Sequence, residues 1–349
     1  VHTGALSQSE TPNQIIGVIA HEAGHIAGGD MAALRERIRR DQTKLLLMRI
    51  LGIGAAIAGG GAAAVAAGDD LIMRSLLAER RAQESSADQR GLRYLEMTGQ
   101  SGRGMLETFE RFQRQEFISE RNQDPFVRSH PVAAHRLALL RDRAQKSPHF
   151  GKRDSPRLQL RHDMMRAKLS GYLESPATVF NRYPRNDNSI PARYARAIAT
   201  FFRGGSNGLD NALRQVDELL RMQPQYPYFW ELRGDFLMRS GRPRQAADGF
   251  RKALKLDPNL SDAHGALGWV YLYRDWDWEK AEREMVEAER LGIDEDSGGL
   301  HFHFYQLCGY MDKAIELARD KVNRDPLNPE VAKGLAFVYL NACRPDDCI

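Results

Sequence analysis

The chain has 349 residues, which is enough for two or three domains of about 100–200 residues each. Charged residues make up 28% and aromatic residues 8%, as in ordinary globular proteins, and the net charge is +4 with basic residues spread along the chain. This argues against the clustered basic surface typical of nucleic-acid-binding proteins. Three cysteines without a Cys-x-x-Cys pair give no cysteine-ligated zinc site.

The first ten residues are predicted to lead into a helix. Residues 1–3 are expected to finish a strand, with Gly4 and residues 7–10 forming the turn that follows it. No secretory signal is visible, the first residue is valine, and helical sequence starts almost at once. We therefore expect the N-terminus to be a cut end, either processed or incomplete.

A helix is predicted from Pro12 to about Gly28. Thr11 stands at the N-cap, Pro12 at the first helical position, and Gln14 completes a capping-box pattern by reaching back to the cap. The pair Gly28-Gly29 marks the end of the helix, because glycine is the usual residue just past a helix C-terminus.

This helix carries the pattern His-Glu-x-x-His at residues 21–25. His21 and His25 are four residues apart and share one helical face, so both can bind one tetrahedral zinc ion. Glu22 is offset toward the open metal position, where a carboxylate can act as general base on a bound water. The same pattern also occurs in proteins without metal, where the histidines are structural, so a third ligand downstream has to support the zinc interpretation.

An apolar stretch follows at residues 45–67, LLLMRILGIGAAIAGGGAAAVAA, with Arg49 as its single charge. It is long enough to span a bilayer, which takes about 20 residues, but alanine and glycine dominate it. Three interpretations stay open: a buried or mobile segment beside the active site, a segment that contacts the membrane surface, and a transmembrane helix. The Gly59-Gly60-Gly61 run favours the first.

A second long helix is predicted over residues 76–99 and supplies acidic candidates for the site. Glu84 and Asp88 are four residues apart and lie on one helical face. Two histidines and a glutamate from a separate helix are an established zinc ligand set, so Glu84 is the candidate third ligand. Asp88, one turn on, can hydrogen-bond a ligand histidine. Taken without the histidines, the same pair is typical of an exposed acidic edge.

Residues 104–117 form an amphipathic pattern that is expected to cover the two catalytic helices; its apolar positions are Met105, Leu106, Phe109 and Phe112. After Asp124-Pro125, the sequence Ser129-His130-Pro131 precedes a helix predicted over residues 132–144, with Arg136 near its start. His130 stands before a proline and is therefore extended. Alone, it is more typical of a loop histidine than of a site residue.

Three motifs in this order resemble a known family: HEAGH at residues 21–25, ESSAD at residues 84–88, and SHP at residues 129–131 followed by Arg136. They are similar to the HtpX/BepA-type zinc metallopeptidases, peptidase family M48 of the gluzincin group, over about residues 1–145. The resemblance implies one zinc ion per chain and the site residues that follow: His21, His25 and Glu84 as zinc ligands, Glu22 as general base, and Asp88 and Arg136 as residues supporting the ligands.

The resemblance also implies a histidine in the late loop that occupies the fourth zinc position and gates the site. His130 is the candidate and His135 its competitor; the histidine either blocks the open zinc position or orients the oxyanion. The family normally has more chain before the HExxH helix, including a strand that aligns an extended substrate.

The C-terminal half is repetitive. Pro224, Pro258 and Pro326 are 34 and 68 residues apart, which are one and two tetratricopeptide periods. The best unit has consensus-like residues at Trp230, Gly234, Leu237, Ala246, Phe250, Ala253 and Pro258. The next contains a short insertion at residues 273–278, and most of its aromatic residues are expected to pack in the core: Trp269, Tyr271, Tyr273, Trp276 and Trp278. A last helix near residues 335–339 lacks its partner, so the C-terminus also looks cut.

The sequence thus predicts a mainly α protein in three parts. Residues 1–150 form a gluzincin-type helical metallopeptidase domain with little sheet, incomplete at its N-terminus. Residues 151–190 form a linker and leading helix, and residues 191–349 form a tetratricopeptide α-solenoid, incomplete at its C-terminus.

The predicted function is a zinc-dependent endopeptidase that acts on misfolded or assembling envelope proteins. The repeat groove recruits these protein clients, and the resemblance implies the bacterial periplasm; contact of residues 45–67 with a membrane stays open. The alternative is a chaperone-like adaptor whose protease site is idle or self-inhibited. No nucleic-acid partner is expected.

Overall fold

The computed structural model describes residues 3–30, 32, 33, 35, 36, 39, 61–115, 134–205, 207–292, 304, 305, 307–324, 326 and 328–341. These residues contain helices and no strand, as the mainly α prediction requires. They divide into two compact units, Val1–Ser170 and Gly171–Ile349. The predicted domain boundaries at residues 150 and 190 stay predictions.

The first unit is built from helices that we number in chain order. They are α1 (Thr3–Gln8), α2 (Pro12–Gly28), α3 (Gly61–Met97), α4 (Arg103–Gln115), α5 (Ala134–Lys146) and α6 (Pro156–Leu173), whose last residues belong to the second unit. The expected strand at the start is wrong where the structure describes it, because Thr3 begins α1. Within this helix the Ser7 hydroxyl donates to the carbonyl of Gly4 at 3.1 Å, a bond that suits helical backbone.

The ends of α2 agree with the sequence in position but only partly in chemistry. Thr11 is the N-cap and Pro12 the first helical residue, but the Thr11 side chain makes no capping hydrogen bond. Gln14 instead accepts the backbone N–H of Glu10 at 2.9 Å, so the predicted capping box is wrong in detail. The helix ends as predicted: Gly29 adopts a left-handed conformation with φ 64°, which glycine reaches without strain.

Helix α3 is longer than predicted, because it starts at residue 61 and takes in the end of the apolar stretch. Residues 45–60 of that stretch lie outside the described residues, so its three interpretations stay predictions. Among the described helices, none is both long enough and apolar enough to cross a bilayer.

Helix α2 packs against α3 and α4, and a buried cluster joins the three to α5. The predicted apolar face of α4 lies in this cluster, since Met105, Phe109 and Phe112 are fully buried. A small residue sets the spacing of α2 and α3. A Cβ on Gly24 would lie 2.5 Å from the carbonyl oxygen of Ala87, so only glycine allows this close approach. The face of α3 that carries Glu84 and Asp88 therefore lies against the face of α2 that carries the two histidines.

The second unit continues with helices that pack in consecutive pairs. They are α7 (Pro176–Arg182), α8 (Ile190–Arg203), α9 (Gly208–Met222), α10 (Pro227–Arg239), α11 (Pro243–Leu256), α12 (Ser261–Val270), α13 (Trp278–Arg290), α14 (Met311–Arg324) and α15 (Pro329–Asn341). In the α10/α11 pair, a Cβ on Gly234 would lie 2.7 Å from the ring of Phe250. The small consensus residue thus stands where the two helices of the repeat touch, which confirms an α-solenoid of the tetratricopeptide type.

The insertion after α12 forms a π-helical turn over Tyr271–Asp275, followed by Trp276 in a left-handed conformation with φ 54°. Most of its aromatic side chains are not core residues: Tyr273, Trp276 and Trp278 are exposed. The prediction that most of these aromatic residues pack in the core is therefore wrong. Trp276 and Trp278 follow this irregular turn and face solvent, whereas Ala281, Met285 and Ala288 of α13 are buried again.

Candidate metal centre

Three donor atoms from two helices meet inside the first unit. The Nε2 atoms of His21 and His25 are 3.1 Å apart. Glu84 faces both, with its Oε2 lying 3.5 Å from Nε2 of His21 and its Oε1 lying 3.5 Å from Nε2 of His25. Zinc binds nitrogen and oxygen ligands at about 2.0–2.1 Å, and two such ligands of a tetrahedral ion lie about 3.3 Å apart. The spacing of these atoms and their chemistry therefore fit one zinc ion. Among the described residues, this is the group of His, Cys, Asp and Glu side chains that can hold a metal.

Each histidine is held by a carboxylate on the other side of its ring. The Nδ1 of His21 lies 2.9 Å from Asp88, and the Nδ1 of His25 lies 2.7 Å from Asp30. A carboxylate on Nδ1 fixes the tautomer that presents Nε2 as the ligand atom and increases its basicity. The structure thus places Asp88 where the sequence expected a supporting residue, and it adds Asp30.

Helix spacing does not predict the role of Asp30, because the residue lies beyond the end of α2. Five positions separate it from His25, a spacing that no regular helix face brings together. The left-handed turn at Gly29 folds the chain back toward the helix, and only then does the Asp30 carboxylate reach the imidazole. The signal in the sequence is an acidic residue directly after the Gly28-Gly29 stop.

Arg136 of α5 binds Glu84 and Asp88, the two acidic residues that α3 contributes to the centre. Its guanidinium donates to Asp88 at 2.8 Å and lies 2.8 Å from Oε2 of Glu84, the oxygen that also faces His21. Burial alone would lower the pKa of Arg136, but the hydrogen bonds and charges of Asp88 and Glu84 outweigh it and raise the pKa. Arg136 is therefore a permanent cation that holds the two carboxylates in place.

Apolar side chains enclose the inner wall of the centre. The ring of Phe109 stands edge-on to the imidazole of His21, 5.2 Å between centroids, and its face lies 5.1 Å from the Arg136 guanidinium. His21 is fully buried, while His25 and Glu22 are partly exposed. The centre is thus closed on the His21 side and accessible on the side of Glu22.

The electrostatics of the centre favour a cation. Burial alone lowers the pKa of His25, but hydrogen bonds and charges from Glu84 and Asp30 offset this and raise the pKa. The carboxylates that attract a proton to His25 also attract a metal ion, so binding of the two is competitive.

Two histidines that the sequence predicted for the site are not found at the metal centre among the described residues. His130 lies outside them, so its role as gate stays a prediction. His135, its competitor, is described and is exposed in the first turn of α5, beside the buried Arg136.

Comparison with known proteins gives two family matches. Residues 1–144 match Peptidase family M48, and residues 227–260 match the tetratricopeptide repeat. The N-terminal part of this chain is a peptidase family M48 domain. The M48 match includes the metal donors of α2 and α3 and Arg136 of α5, and it supports a metallopeptidase.

Among curated proteins, the chain is similar to the Beta-barrel assembly-enhancing protease of Escherichia coli O157:H7. The two are 22% identical over 91% of this chain and 69% of the relative. Similar solved structures include a thermophilic TPR protein of Thermus thermophilus, 18% identical over 52% of this chain and 92% of that chain, with a TM-score of 0.38. MamA is 22% identical over 41% of this chain and 83% of that chain, with a TM-score of 0.34.

Proposed function

We propose that this protein is a zinc-dependent endopeptidase. The observation that carries the proposal is the convergence of His21, His25 and Glu84, whose donor atoms are spaced at 3.1–3.5 Å as ligands of one tetrahedral zinc. Glu22 follows the first ligand directly on α2, and this placement distinguishes a hydrolytic site from a structural one. A structural zinc site is normally closed by four protein ligands, whereas three ligands leave a position for water or substrate.

The proposed chemistry needs one function from each part of the site. Zinc bound by the three ligands would polarise the scissile carbonyl and lower the pKa of a water molecule to about 7. Glu22 takes the proton of the attacking water and then delivers it to the leaving amine. Asp88 and Asp30 keep the ligand imidazoles in the tautomer that presents Nε2, and Arg136 holds Glu84 and Asp88.

We further propose that the substrates are misfolded or assembling envelope proteins in the bacterial periplasm. The similarity to a protease of Escherichia coli that enhances β-barrel assembly supports this. The helical pairs of the second unit support recruitment of clients, because solenoid repeats usually present a surface for protein segments. Partners of this chain are accordingly protein or peptide segments.

The first experiment measures zinc in the purified chain by atomic emission. We expect one zinc per chain in the wild type and its loss in Glu84→Ala. Glu96→Ala is the matched control, since Glu96 is an exposed residue of the same helix. A wild type without zinc, reconstituted with excess zinc and still empty, would overturn the proposal.

The second experiment measures cleavage of an unfolded, fluorescently labelled protein. We expect Glu22→Gln to retain zinc and lose cleavage, because glutamine cannot accept the proton. The wild type is tested beside His130→Ala, which removes the proposed gate. If both bind the unfolded protein and neither cleaves it, the chain is an adaptor and the endopeptidase proposal is wrong.

A further inference from the structure

A pocket in the second unit concentrates positive charge. Its volume is about 440 Å³, and it lies among α7, α8, α9 and the segment between α7 and α8. Four arginines line it: Arg185, Arg193, Arg196 and Arg203. We call it the arginine pocket.

Helix α8 supplies three of the four arginines from one face. Residues 193, 196, 200 and 203 follow the three- and four-residue spacing that aligns side chains along a helix. The opposite face of α8 is buried in the unit, with Ala195 and Ile198 fully enclosed. Since the apolar face fixes the rotation of the helix, the arginine face is held toward the pocket.

Little negative charge neutralises these arginines. Arg193 lies 3.5 Å from the carboxylate of Glu218. Within the described part of the chain, Arg185, Arg196 and Arg203 form no ion pair within 4.0 Å. Asp187 acts on Arg196 only at longer range, so the four positive charges face at most two negative ones.

Two of the guanidinium groups, those of Arg196 and Arg203, are held by neutral partners instead. Arg196 donates to the carbonyl oxygens of Tyr183 and Pro184, at 3.3 and 2.8 Å. Arg203 lies over the ring of Phe180, 5.1 Å from its centroid. Burial and the charge of Arg193 lower the pKa of Arg196, although Asp187 opposes this. Arg196 and Arg203 are therefore preorganised at the pocket. Holding positive charges this close together costs electrostatic free energy, which a bound anion would offset.

We propose that the arginine pocket binds the carboxylates of an acidic protein segment. Arginine forks bind carboxylates in a planar, two-bonded geometry that gives both strength and orientation. The volume lies in the range of ligand pockets, about 300–1,000 Å³, and holds a few acidic side chains rather than a folded domain. The inference deepens the proposed function and rests on it for the choice of a protein segment, because phosphate offers the same oxygen chemistry.

The test is direct binding of a hexaglutamate peptide, labelled with tetramethylrhodamine, to the full chain carrying Glu22→Gln, followed by fluorescence anisotropy. The variant removes Arg185 and Arg203 as Arg185→Gln/Arg203→Gln; both residues are exposed, so folding is retained, and circular dichroism checks it. We expect affinity to fall at least about 10-fold, because the variant removes two guanidinium groups that would make charged hydrogen bonds to the peptide carboxylates.

The control Arg214→Gln/Arg244→Gln removes the same charge from exposed positions of α9 and α11 outside the pocket. We expect it to bind within about 2-fold of the parent, and hexaglutamine and hexalysine peptides not to bind. An equal loss in both double variants would show a general charge effect and overturn the proposal. Binding of inorganic phosphate without binding of hexaglutamate would assign the pocket to phosphate and also overturn it.

Binding is measured in a chain that lacks the general base, so it is independent of cleavage. If the chain binds hexaglutamate through the arginine pocket but never cleaves a client, the endopeptidase proposal is wrong and the proposal for the pocket stands. If the chain cleaves clients but does not bind hexaglutamate, the endopeptidase proposal stands and the proposal for the pocket is wrong.

Discussion

Asp30 contacts a ligand histidine of the metal centre, and it was not among the residues predicted from the motifs. Its carboxylate lies 2.7 Å from Nδ1 of His25. Its side chain is only 13% exposed, so water screens the contact weakly. Carboxylates of this kind typically strengthen metal binding 10- to 100-fold, because they orient the ring and increase its basicity. The two ligand histidines are thus supported from different elements: His21 by Asp88 of α3, and His25 by the residue that follows the end of α2.

We predict that Asp30→Ala weakens zinc binding by about 10- to 100-fold, while Asp30→Asn, which still accepts a hydrogen bond, weakens it less. Competition against a chromophoric zinc chelator measures the affinity. Glu36→Gln is the control, since Glu36 is an exposed acidic residue that pairs with Arg39. Unchanged affinity in Asp30→Ala would show that the Asp30 contact does not support the ligand.

Arg136 is a buried residue whose loss should strongly destabilise the first unit. It is 7% exposed and pairs with Glu84 and Asp88. We predict that Arg136→Leu lowers the free energy of unfolding by about 3–5 kcal/mol, because it leaves two buried carboxylates without their cation. Arg136→Lys should recover only part of this, since an ammonium cannot span both carboxylates with a planar fork.

Urea unfolding followed by circular dichroism measures this change. Arg141→Gln is the matched control on the same helix, because Arg141 forms a half-exposed pair with Glu110, and such pairs contribute about 0–1 kcal/mol. A loss in Arg136→Leu no larger than that in Arg141→Gln would contradict the prediction.

At the scale of elements, a buried histidine of α6 contacts the residue that directly follows α1. The ring of His162 lies 3.2 Å from the hydroxyl of Ser9 and is nearly enclosed. Burial lowers the pKa of His162, and the charge of Arg166 adds to this, while the Ser9 carbonyl, Asp163 and Asp154 oppose it. The folded chain therefore holds this imidazole neutral below the pH at which an unfolded chain begins to protonate it.

We predict that this contact makes the first unit sensitive to acid. The unfolded chain binds a proton at His162 near pH 6.5, whereas the folded chain binds it only at lower pH, so stability falls as pH drops below about 6.5. His162→Gln removes this titration. Urea midpoints at pH 7.5 and 5.5 should therefore differ less for His162→Gln than for the wild type, and His149→Gln should behave like the wild type. Equal pH dependence in all three would contradict the prediction.

Elements with a strong period were predictable, and contacts that depend on a turn were not. His21 and His25 are four positions apart, and so are Glu84 and Asp88. The helical period therefore places each pair on one face of its helix. Sequence spacing alone could not show that these faces meet, because this depends on the close approach at Gly24. The exposed position of Trp276 follows from an irregular turn that has no period.

At the scale of the whole molecule, zinc chemistry and tryptophan fluorescence belong to different units. The candidate ligands lie in Val1–Ser170, whereas every tryptophan of the chain lies in Gly171–Ile349, at positions 230, 269, 276 and 278. Tryptophan fluorescence therefore reports unfolding of the repeat unit, and far-ultraviolet circular dichroism reports the helices of both. The two signals can tell which unit a metal stabilises.

We predict that zinc stabilises the first unit alone. Free zinc at about 1,000 times its Kd adds about 4 kcal/mol to the stability of a unit that binds it only when folded. Thermal unfolding followed by circular dichroism should gain a transition that moves to higher temperature with zinc and back with a chelator, while the tryptophan transition stays in place. Glu84→Ala should abolish the shift and Glu96→Ala should keep it. A tryptophan transition that moves together with the circular dichroism signal would instead show that the two units unfold as one, because zinc bound in the metallopeptidase unit would then stabilise the repeats as well.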